Sequence, residues 1–229
     1  MLTEFRNNID FCIRNLTKFS RKNFVETNPD NIEQNRLENL NLESILEKYL
    51  DKTNKQFVRV LDVGCKNWSY AKGEYSYFNK NYEEVVLDGV EIDAYRLYSN
   101  FYSRYETAKY YIKDLKNTNY IVEDVLNLNN KYDFIIWLLP FVTVYPLQYW
   151  GLPKKYFCPE KLLGHVYSNL LNNKGQLLII NQGQEEANIQ KELLINLGIR
   201  YKYLGEIKND FYEYKNKRYG YLINKDTPC

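Results

Sequence analysis

The stretch FVRVLDVGC, residues 57–65, decides the fold, because it is a run of strand-forming residues that ends in an acid and a glycine. A second run, VVLDGVE at 85–91, follows at the spacing of one strand–helix–strand unit and also ends in a carboxylate. Parallel strands joined by a crossover place their carboxyl ends at one edge of the sheet. We therefore expect a ligand at this edge to meet a backbone turn at one strand and a carboxylate at the next.

Strands and helices alternate from residue 57 onward. The predicted strands are 57–63, 85–92, 120–123, 132–138 and 176–181. The predicted helices are 69–79, 93–115, 160–171 and 185–197, with Ser69 as an N-cap, Asp93 as a cap and 172–175 as a turn. Two β-rich segments, 201–207 and 218–223, then suggest an antiparallel pair. The pattern predicts an α/β fold: a Rossmann-like, seven-stranded, mostly parallel sheet with a terminal antiparallel pair and helices on both faces.

An N-terminal helical segment precedes this region. Apolar residues recur at helical spacing over 5–16, and a second helix is predicted over about 31–50. Since no Gly-rich or Ser-rich linker follows, residues 1–54 are predicted to form an extension packed on a domain of residues 55–229. The extension is expected to lie over the ligand site and help exclude water.

Composition narrows the possible partners. The net charge is +2, with acids and bases interleaved, so a nucleic-acid partner is not expected. Four scattered cysteines and one histidine make a metal site unlikely on spacing grounds. No leader is apparent and the apolar run 134–147 is short and interrupted by prolines, so we expect no membrane association and a cytoplasmic location.

The predicted sheet resembles that of the class I S-adenosylmethionine-dependent methyltransferases over residues 57 to about 224. Their first motif, a strand, an acid and a glycine-rich turn, corresponds to VLDVGCKNW at 60–68. The resemblance implies that Asp62 orients the amino group of the methionine moiety, and that Gly64, followed by Cys65, lets the backbone pass under the cofactor. The family usually has two further glycines, at the positions of Lys66 and Trp68. Their absence leaves open normal, weak or lost cofactor binding, and it argues against a dinucleotide.

Two further motifs extend the resemblance. In GVEID, residues 89–93, Glu91 matches the acid that accepts hydrogen bonds from both ribose hydroxyls, with Ile92 beside it; the alternative is a solvated strand-end acid. In VEDVL, residues 122–126, Asp124 matches the acceptor for the adenine amino group, and Val125 would contact the ring. An equally good interpretation of Asp124 is a turn or N-cap acid.

Polar and apolar residues after the next two strands bear on the methyl acceptor. Leu138, in the tetrad LLPF at 138–141, stands where methyltransferases of exocyclic amines in DNA often carry Asn or Asp. Leu138 is predicted to line the cofactor site, but it cannot orient an amine, which argues against an adenine-type acceptor. Asn181 and Gln182 follow strand five and are candidates for substrate contact; the alternative is a helix N-terminal segment.

Aromatic residues recur within the predicted helix 93–115. A stripe of tyrosines with Phe101 alongside it indicates a core or subunit contact more than base stacking, so a homodimer is possible. The stripe consists of Tyr95, Tyr98, Tyr102 and Tyr105.

The resemblance implies an S-adenosylmethionine-dependent methyltransferase that acts on a small molecule by direct methyl transfer. No catalytic residue is assigned, because alignment of the reacting atoms can supply much of the rate enhancement. The alternatives are a non-catalytic module with a degenerate cofactor loop, and a methyltransferase of RNA or protein.

Overall fold

Seven strands form one sheet in the computed structural model, which describes residues 29–98 and 101–225. The order across the sheet is β3-β2-β1-β4-β5-β7-β6. Strands β1 to β5 are parallel, and β7 is antiparallel to both β5 and β6, which confirms the predicted sheet. The strands are β1 Phe57–Val63, β2 Glu84–Val90, β3 Thr118–Ile121, β4 Tyr132–Leu138, β5 Leu171–Gln182, β6 Lys202–Glu206 and β7 Arg218–Asn224.

Helices cover both faces of this sheet. None of those within the described ranges is long and apolar enough to cross a membrane. Two 3₁₀ turns, Val125–Asn127 and Lys154–Tyr156, and a π turn, Val166–Leu170, complete the regular structure. The helices are α1 Pro29–Tyr49, α2 Ala71–Asn81, α3 Arg104–Ile112, α4 Val144–Tyr149, α5 Pro159–His165 and α6 Gly183–Asn196.

Strand β4 shows how the sheet separates two cores. Phe134 and Ile136 pack on the side of α1 and α2, whereas Ile135 and Trp137 pack on the side of α5 and α6. Successive side chains on a strand point to opposite faces, so a strand buried on both sides has to be apolar throughout. This requirement explains the uninterrupted apolar sequence of residues 134–138 in β4.

Helix α1 confirms the helix predicted over 31–50, and it is fixed at two places. The Asn39 Oδ1 atom accepts a hydrogen bond from the Gly73 N–H of α2 at 2.7 Å. The Asn41 Oδ1 atom accepts from the Asp210 N–H, in the loop between β6 and β7, at 3.0 Å. Leu46, further along α1, is fully buried in the core. The helix predicted over 5–16 lies outside the described residues, and the domain boundary near residue 54 stays a prediction.

The prediction of a long helix over 93–115 is wrong, because the regular helix spans only Arg104–Ile112. Ser103 starts it with a capping box, its hydroxyl accepting from the Glu106 N–H at 3.2 Å. Residues 92–95 form turns, Leu97 forms an isolated antiparallel bridge with Ser103, and the Tyr98 N–H donates to the Tyr102 carbonyl. The tyrosine spacing therefore imitates a helical stripe in a segment that is mostly not helical, and Asp93 caps no helix.

Two smaller departures concern element boundaries. Helix α2 begins after Tyr70 with no side-chain cap, so Ser69 is not the predicted N-cap. Instead, the Ser69 backbone carbonyl accepts a hydrogen bond from the Asn35 side chain of α1 at 2.7 Å. The turn predicted at 172–175 lies inside β5, where the pairing with β4 shifts register between Tyr132 and Phe134.

The strand order reverses direction between β1 and β4. Strands β2 and β3 extend the sheet on one side of β1, and β4 extends it on the other. In open α/β sheets, the crevice at such a switch point is where ligands bind. The residues predicted to bind a ligand lie at or next to this switch point.

We expect Gly73→Ala to destabilise the fold by about 1–3 kcal/mol, because the new methyl group would lie 2.4 Å from the Asn39 carbonyl oxygen of α1. Gly164→Ala is the matched control, since its nearest neighbouring atom is 3.9 Å away and alanine favours a helix. Urea unfolding followed by circular dichroism compares the two. Equal effects at both positions would show that α1 and α2 are not in this close contact.

Candidate functional site

A cavity of 430 Å³ lies at the carboxyl edge of β1 to β4, at the switch point. We call it the first cavity. Six of the eight residues predicted to bind cofactor line it: Gly64, Glu91, Ile92, Asp124, Val125 and Leu138. The other two, Asp62 in β1 and Cys65 in the loop that follows β1, do not line it and are fully buried.

Glu91 forms the floor of the first cavity and is only 5% exposed. Its Oε2 atom accepts from the Lys66 N–H at 3.0 Å, and its Oε1 atom accepts from the Asp93 N–H at 2.7 Å. The Arg104 guanidinium donates to Oε1 at 3.3 Å. A solvated strand-end acid is therefore not what the structure contains. The carboxylate has four lone-pair sites, so it can still accept from a ligand.

Segment 139–162 covers the cavity, and Trp150 is its anchor. The Trp150 ring lies 5.1 Å from the Lys66 Nζ atom and 5.1 Å from the Arg104 guanidinium carbon. The Arg96 side chain donates a hydrogen bond to the Trp150 carbonyl. These contacts are cation–π interactions and a charge-assisted hydrogen bond, which together fix the roof.

Sequence reasoning missed Arg104 and the anchoring role of Trp150. Arg104 is 3% exposed and begins α3, where no motif marks it. The partners in the roof come from distant positions in the chain and carry no shared spacing. Burial, and then the charge of Arg104, lower the pKa of Lys66, whose side chain lines the cavity.

The loop after β1 has the backbone conformation typical of glycine at two positions where glycine is absent. Its φ angles are 72° at Gly64, 54° at Lys66 and 48° at Trp68, all in the left-handed region. A non-glycine residue there costs roughly 1–2 kcal/mol. The two missing glycines are thus replaced by side chains that accept the same backbone conformation.

Trp68 does not fill the cavity, because its side chain points into the core. The ring is fully buried, and its Nε1–H donates to the Glu74 Oε2 atom at 2.8 Å. A Cβ atom at Gly89 would lie 2.8 Å from the ring, so the glycine in β2 makes room for it. Burial raises the pKa of Glu74 well above its usual value.

Asp62 is a buried carboxylate directly below the loop. Burial, with a smaller contribution from the charge of Glu91, raises the pKa of Asp62 to about 7. Tyr70 and Trp68 lie near it and favour the ionised form. Within residues 29–98 and 101–225, neither of its oxygens has a hydrogen-bond partner. Asp62 lines neither cavity, so its carboxyl group lies beside the ligand site and not in its wall.

Asp124 is an N-cap acid, as one interpretation predicted, and its role toward adenine stays a prediction. Its Oδ1 atom accepts from the Leu126 N–H at 3.0 Å, so it caps the 3₁₀ turn Val125–Asn127. The same residue lines the first cavity beside Val125, and its second oxygen can accept from a ligand.

A second cavity, of 270 Å³, adjoins the first. The two cavities share Gly64, Lys66, Leu138 and Leu139, and Leu139 has a φ angle of 55°. Three of these four junction residues are thus left-handed, and backbone strain of this kind clusters at functional sites. The remaining wall comes mainly from α1, from the turn before α2 and from the start of β7: Glu38, Leu42, Ile45, Asn67, Ser69, Tyr70, Ile180, Tyr214 and Arg218.

Asn181 and Gln182, the two amides predicted to contact substrate, lie in different surroundings. Asn181 is fully buried and lines neither cavity. Gln182 contacts the second cavity indirectly, because its Oε1 atom accepts from the Arg218 Nη1 atom at 2.6 Å. Alternation along β5 places neighbouring side chains on opposite faces.

At position 66 we expect a glycine variant to be more stable than an alanine variant, which is the reverse of the usual order in a helix. Lys66→Gly should be about 1 kcal/mol more stable than Lys66→Ala, because only glycine adopts a φ of 54° without strain. At the exposed helical position Lys191, glycine should be about 1 kcal/mol less stable than alanine. Chemical denaturation of the four variants checks this. The same order at both sites would contradict the left-handed backbone.

Sequence comparison found no matching family model and no significantly matching curated protein. Solved structures do match. A methyltransferase dependent on S-adenosylmethionine from Aquifex aeolicus is 16% identical with a TM-score of 0.57, over 82% of this chain and 91% of its own. A plantazolicin methyltransferase in complex with S-adenosylhomocysteine is 17% identical with a TM-score of 0.54, over 93% of each chain.

A third similar structure is the magnesium protoporphyrin IX methyltransferase of Synechocystis PCC 6803 with bound S-adenosylhomocysteine. It is 13% identical with a TM-score of 0.53, over 96% of this chain and 100% of its own. Identities this low establish shape and not activity. The chain has the fold of the class I S-adenosylmethionine-dependent methyltransferases.

Proposed function

We propose that this protein is an S-adenosylmethionine-dependent methyltransferase that methylates a small molecule bound in the second cavity. The observation that carries the proposal is the pair of cavities joined at Gly64, Lys66, Leu138 and Leu139. One cavity has carboxylates placed for the cofactor, and the other is a separate space that opens onto the same junction.

The residues of the first cavity fit the cofactor in three respects. A Cβ atom at Gly64 would meet no atom within 4 Å, so it would project into the space that the cofactor needs. Glu91 faces the cavity with lone pairs available for the ribose hydroxyls. The third group, Asp62, lies outside the cavity lining; its buried carboxyl group has no hydrogen-bond partner within the described residues, and it would orient the ammonium of the methionine moiety through a bridging water. The volume of 430 Å³ lies within the roughly 300–1,000 Å³ common for small-ligand sites.

When bound, S-adenosylmethionine supplies a methyl group already activated on its sulfonium. The residues of the chain align the partners: Glu91 and Asp124 orient the adenosine, and Leu138 and Leu139 shape the junction. Trp150 and Phe141 exclude water. Alignment of this kind can contribute roughly 7–11 kcal/mol.

The second cavity favours a small acceptor. Its 270 Å³ is less than the volume common for drug-sized ligands, and α1 closes one side through Leu42 and Ile45. This agrees with the expectation that the N-terminal segment contributes to the ligand site.

Calorimetry with S-adenosylmethionine and S-adenosylhomocysteine tests the proposed function. We expect both to bind, and Glu91→Gln to weaken binding by about 10-fold or more through loss of charge-assisted bonds to the ribose. Glu185→Gln, at an exposed residue of α6 outside both cavities, is the control. No heat at millimolar ligand would support the alternative of a non-catalytic module.

The pKa of Asp62 predicts a pH dependence of cofactor binding. From about pH 6 to about pH 8 the ionised fraction of a group with a pKa near 7 rises from roughly one-tenth to nine-tenths, so affinity should rise about 10-fold. Calorimetric titrations with S-adenosylhomocysteine at several pH values measure it. Asp62→Asn should give a flat profile, and a flat wild-type profile would contradict the role of Asp62.

Stability provides an independent check on the same group. Its folded pKa lies above the usual value of 3.8, so folding favours the neutral acid. The stability contributed by Asp62 is therefore complete below about pH 4 and is lost as the pH rises through 7. The unliganded wild type should lose melting temperature relative to Asp62→Asn over this range.

A further inference from the structure

We infer that the methyl acceptor has an apolar body and a carboxylate, which Arg218 binds at the β7 side of the second cavity. The inference rests on the proposed function and specifies its substrate class.

Arg218 lies at the far end of the second cavity from the methyl-transfer junction. Gly64 directly follows β1 and Arg218 begins β7, and β4 and β5 separate the two strands. With neighbouring strands roughly 4.8 Å apart, the two ends are about 14 Å apart across the sheet. An acceptor bound at Arg218 by one end can therefore present its other end to the cofactor.

The guanidinium of Arg218 is already oriented. Its Nη1 atom donates to the Gln182 Oε1 atom at 2.6 Å, and its central carbon lies 4.7 Å from the centre of the Tyr214 ring. Arginine has five N–H donors in a fixed planar fork, so further donors remain for a ligand. A planar fork of this kind matches the two oxygens of a carboxylate.

The charge of Arg218 lacks a direct partner in the part of the chain that the structure describes. No carboxylate from residues 29–98 or 101–225 lies within 4.0 Å of it. Glu38 and Glu186 raise its pKa only from beyond that distance, whereas burial, the larger effect, lowers it. Since a half-buried cation is costly without a counter-ion, the site favours an anionic group.

The cavity as a whole has more positive than negative side chains. Lys66 and Arg218 line it, and the charge of Arg218 is one cause of the lowered pKa of Lys66. Glu38 is the single acid among its lining residues. Glu186 acts on Arg218 from outside the lining, so the wall that an acceptor meets has two basic side chains and one acidic side chain, and it favours an anion.

Aliphatic side chains form a large part of the remaining wall, beside the polar Asn67 and Ser69, and they suit a hydrocarbon or aromatic body. Five of them come from α1, the end of β4 and the residue after it, and β5: Leu42, Ile45, Leu138, Leu139 and Ile180. Burial of apolar surface would then supply affinity, and the single anionic contact would fix the orientation.

Ligand-observed NMR on the full chain saturated with S-adenosylhomocysteine tests the inference. The probes are benzoate, phenylacetate, 3-phenylpropionate and hexanoate, each compared with its primary amide. We expect at least one acid to bind about 10-fold or more tightly than its amide, because an amide lacks the charge that Arg218 recognises.

Variants identify the group responsible. Arg218→Gln should abolish the preference for the acid and leave S-adenosylhomocysteine affinity unchanged, which also shows that the variant folds. Arg218→Lys should retain part of the preference, and Lys217→Gln, at an exposed neighbour, should retain all of it.

The outcomes separate the two proposals. If S-adenosylhomocysteine binds but no acid binds better than its amide, or if the preference survives in Arg218→Gln, the inference is overturned and the proposed function stands. If S-adenosylhomocysteine does not bind, the proposed function fails and the inference fails with it.

Discussion

The carboxylate of Glu91 joins the parts of the molecule that meet at the sheet edge. It accepts from the backbone of the loop after β1 at Lys66, from the backbone after β2 at Asp93, and from Arg104 at the start of α3. Arg104 in turn lies against Trp150, which anchors the roof. Removing one member of a buried pair leaves an uncompensated charge, so the floor and the roof of the first cavity depend on the same ion pair.

The loop after β1 shows that a backbone conformation can persist after its usual residue type is lost. Lys66 and Trp68 have left-handed φ angles, and the surrounding contacts balance the strain. The Lys66 amide bonds to Glu91, and the Trp68 ring is fixed by Glu74 and by the space above Gly89. A sequence motif records which residues are glycines, whereas cofactor binding depends on the backbone conformation of the loop.

Sequence patterns predicted those features that depend on neighbouring residues. Strand β4 was found because residues 134–138 must be apolar on both faces, and the carboxyl-edge acids followed from strand ends. The helix over 93–115 failed because tyrosines three and four apart occur in turns that bond across a reversal, as Tyr98 does to Tyr102. Arg104 and Arg218 could not be found, since their partners are set by tertiary contact alone and no spacing in the sequence indicates them.

The two cavities draw on different parts of the chain. The first is built from the loops after β1 to β4 and from segment 139–162, whereas the wall of the second outside the shared junction comes mainly from α1, the turn before α2 and the start of β7. On the proposed function, substitutions at Glu38, Leu42 or Tyr214, which line only the second cavity, would change the fit of the acceptor and leave the adenosine site intact. Acceptor choice and cofactor binding would then be separable properties of this fold.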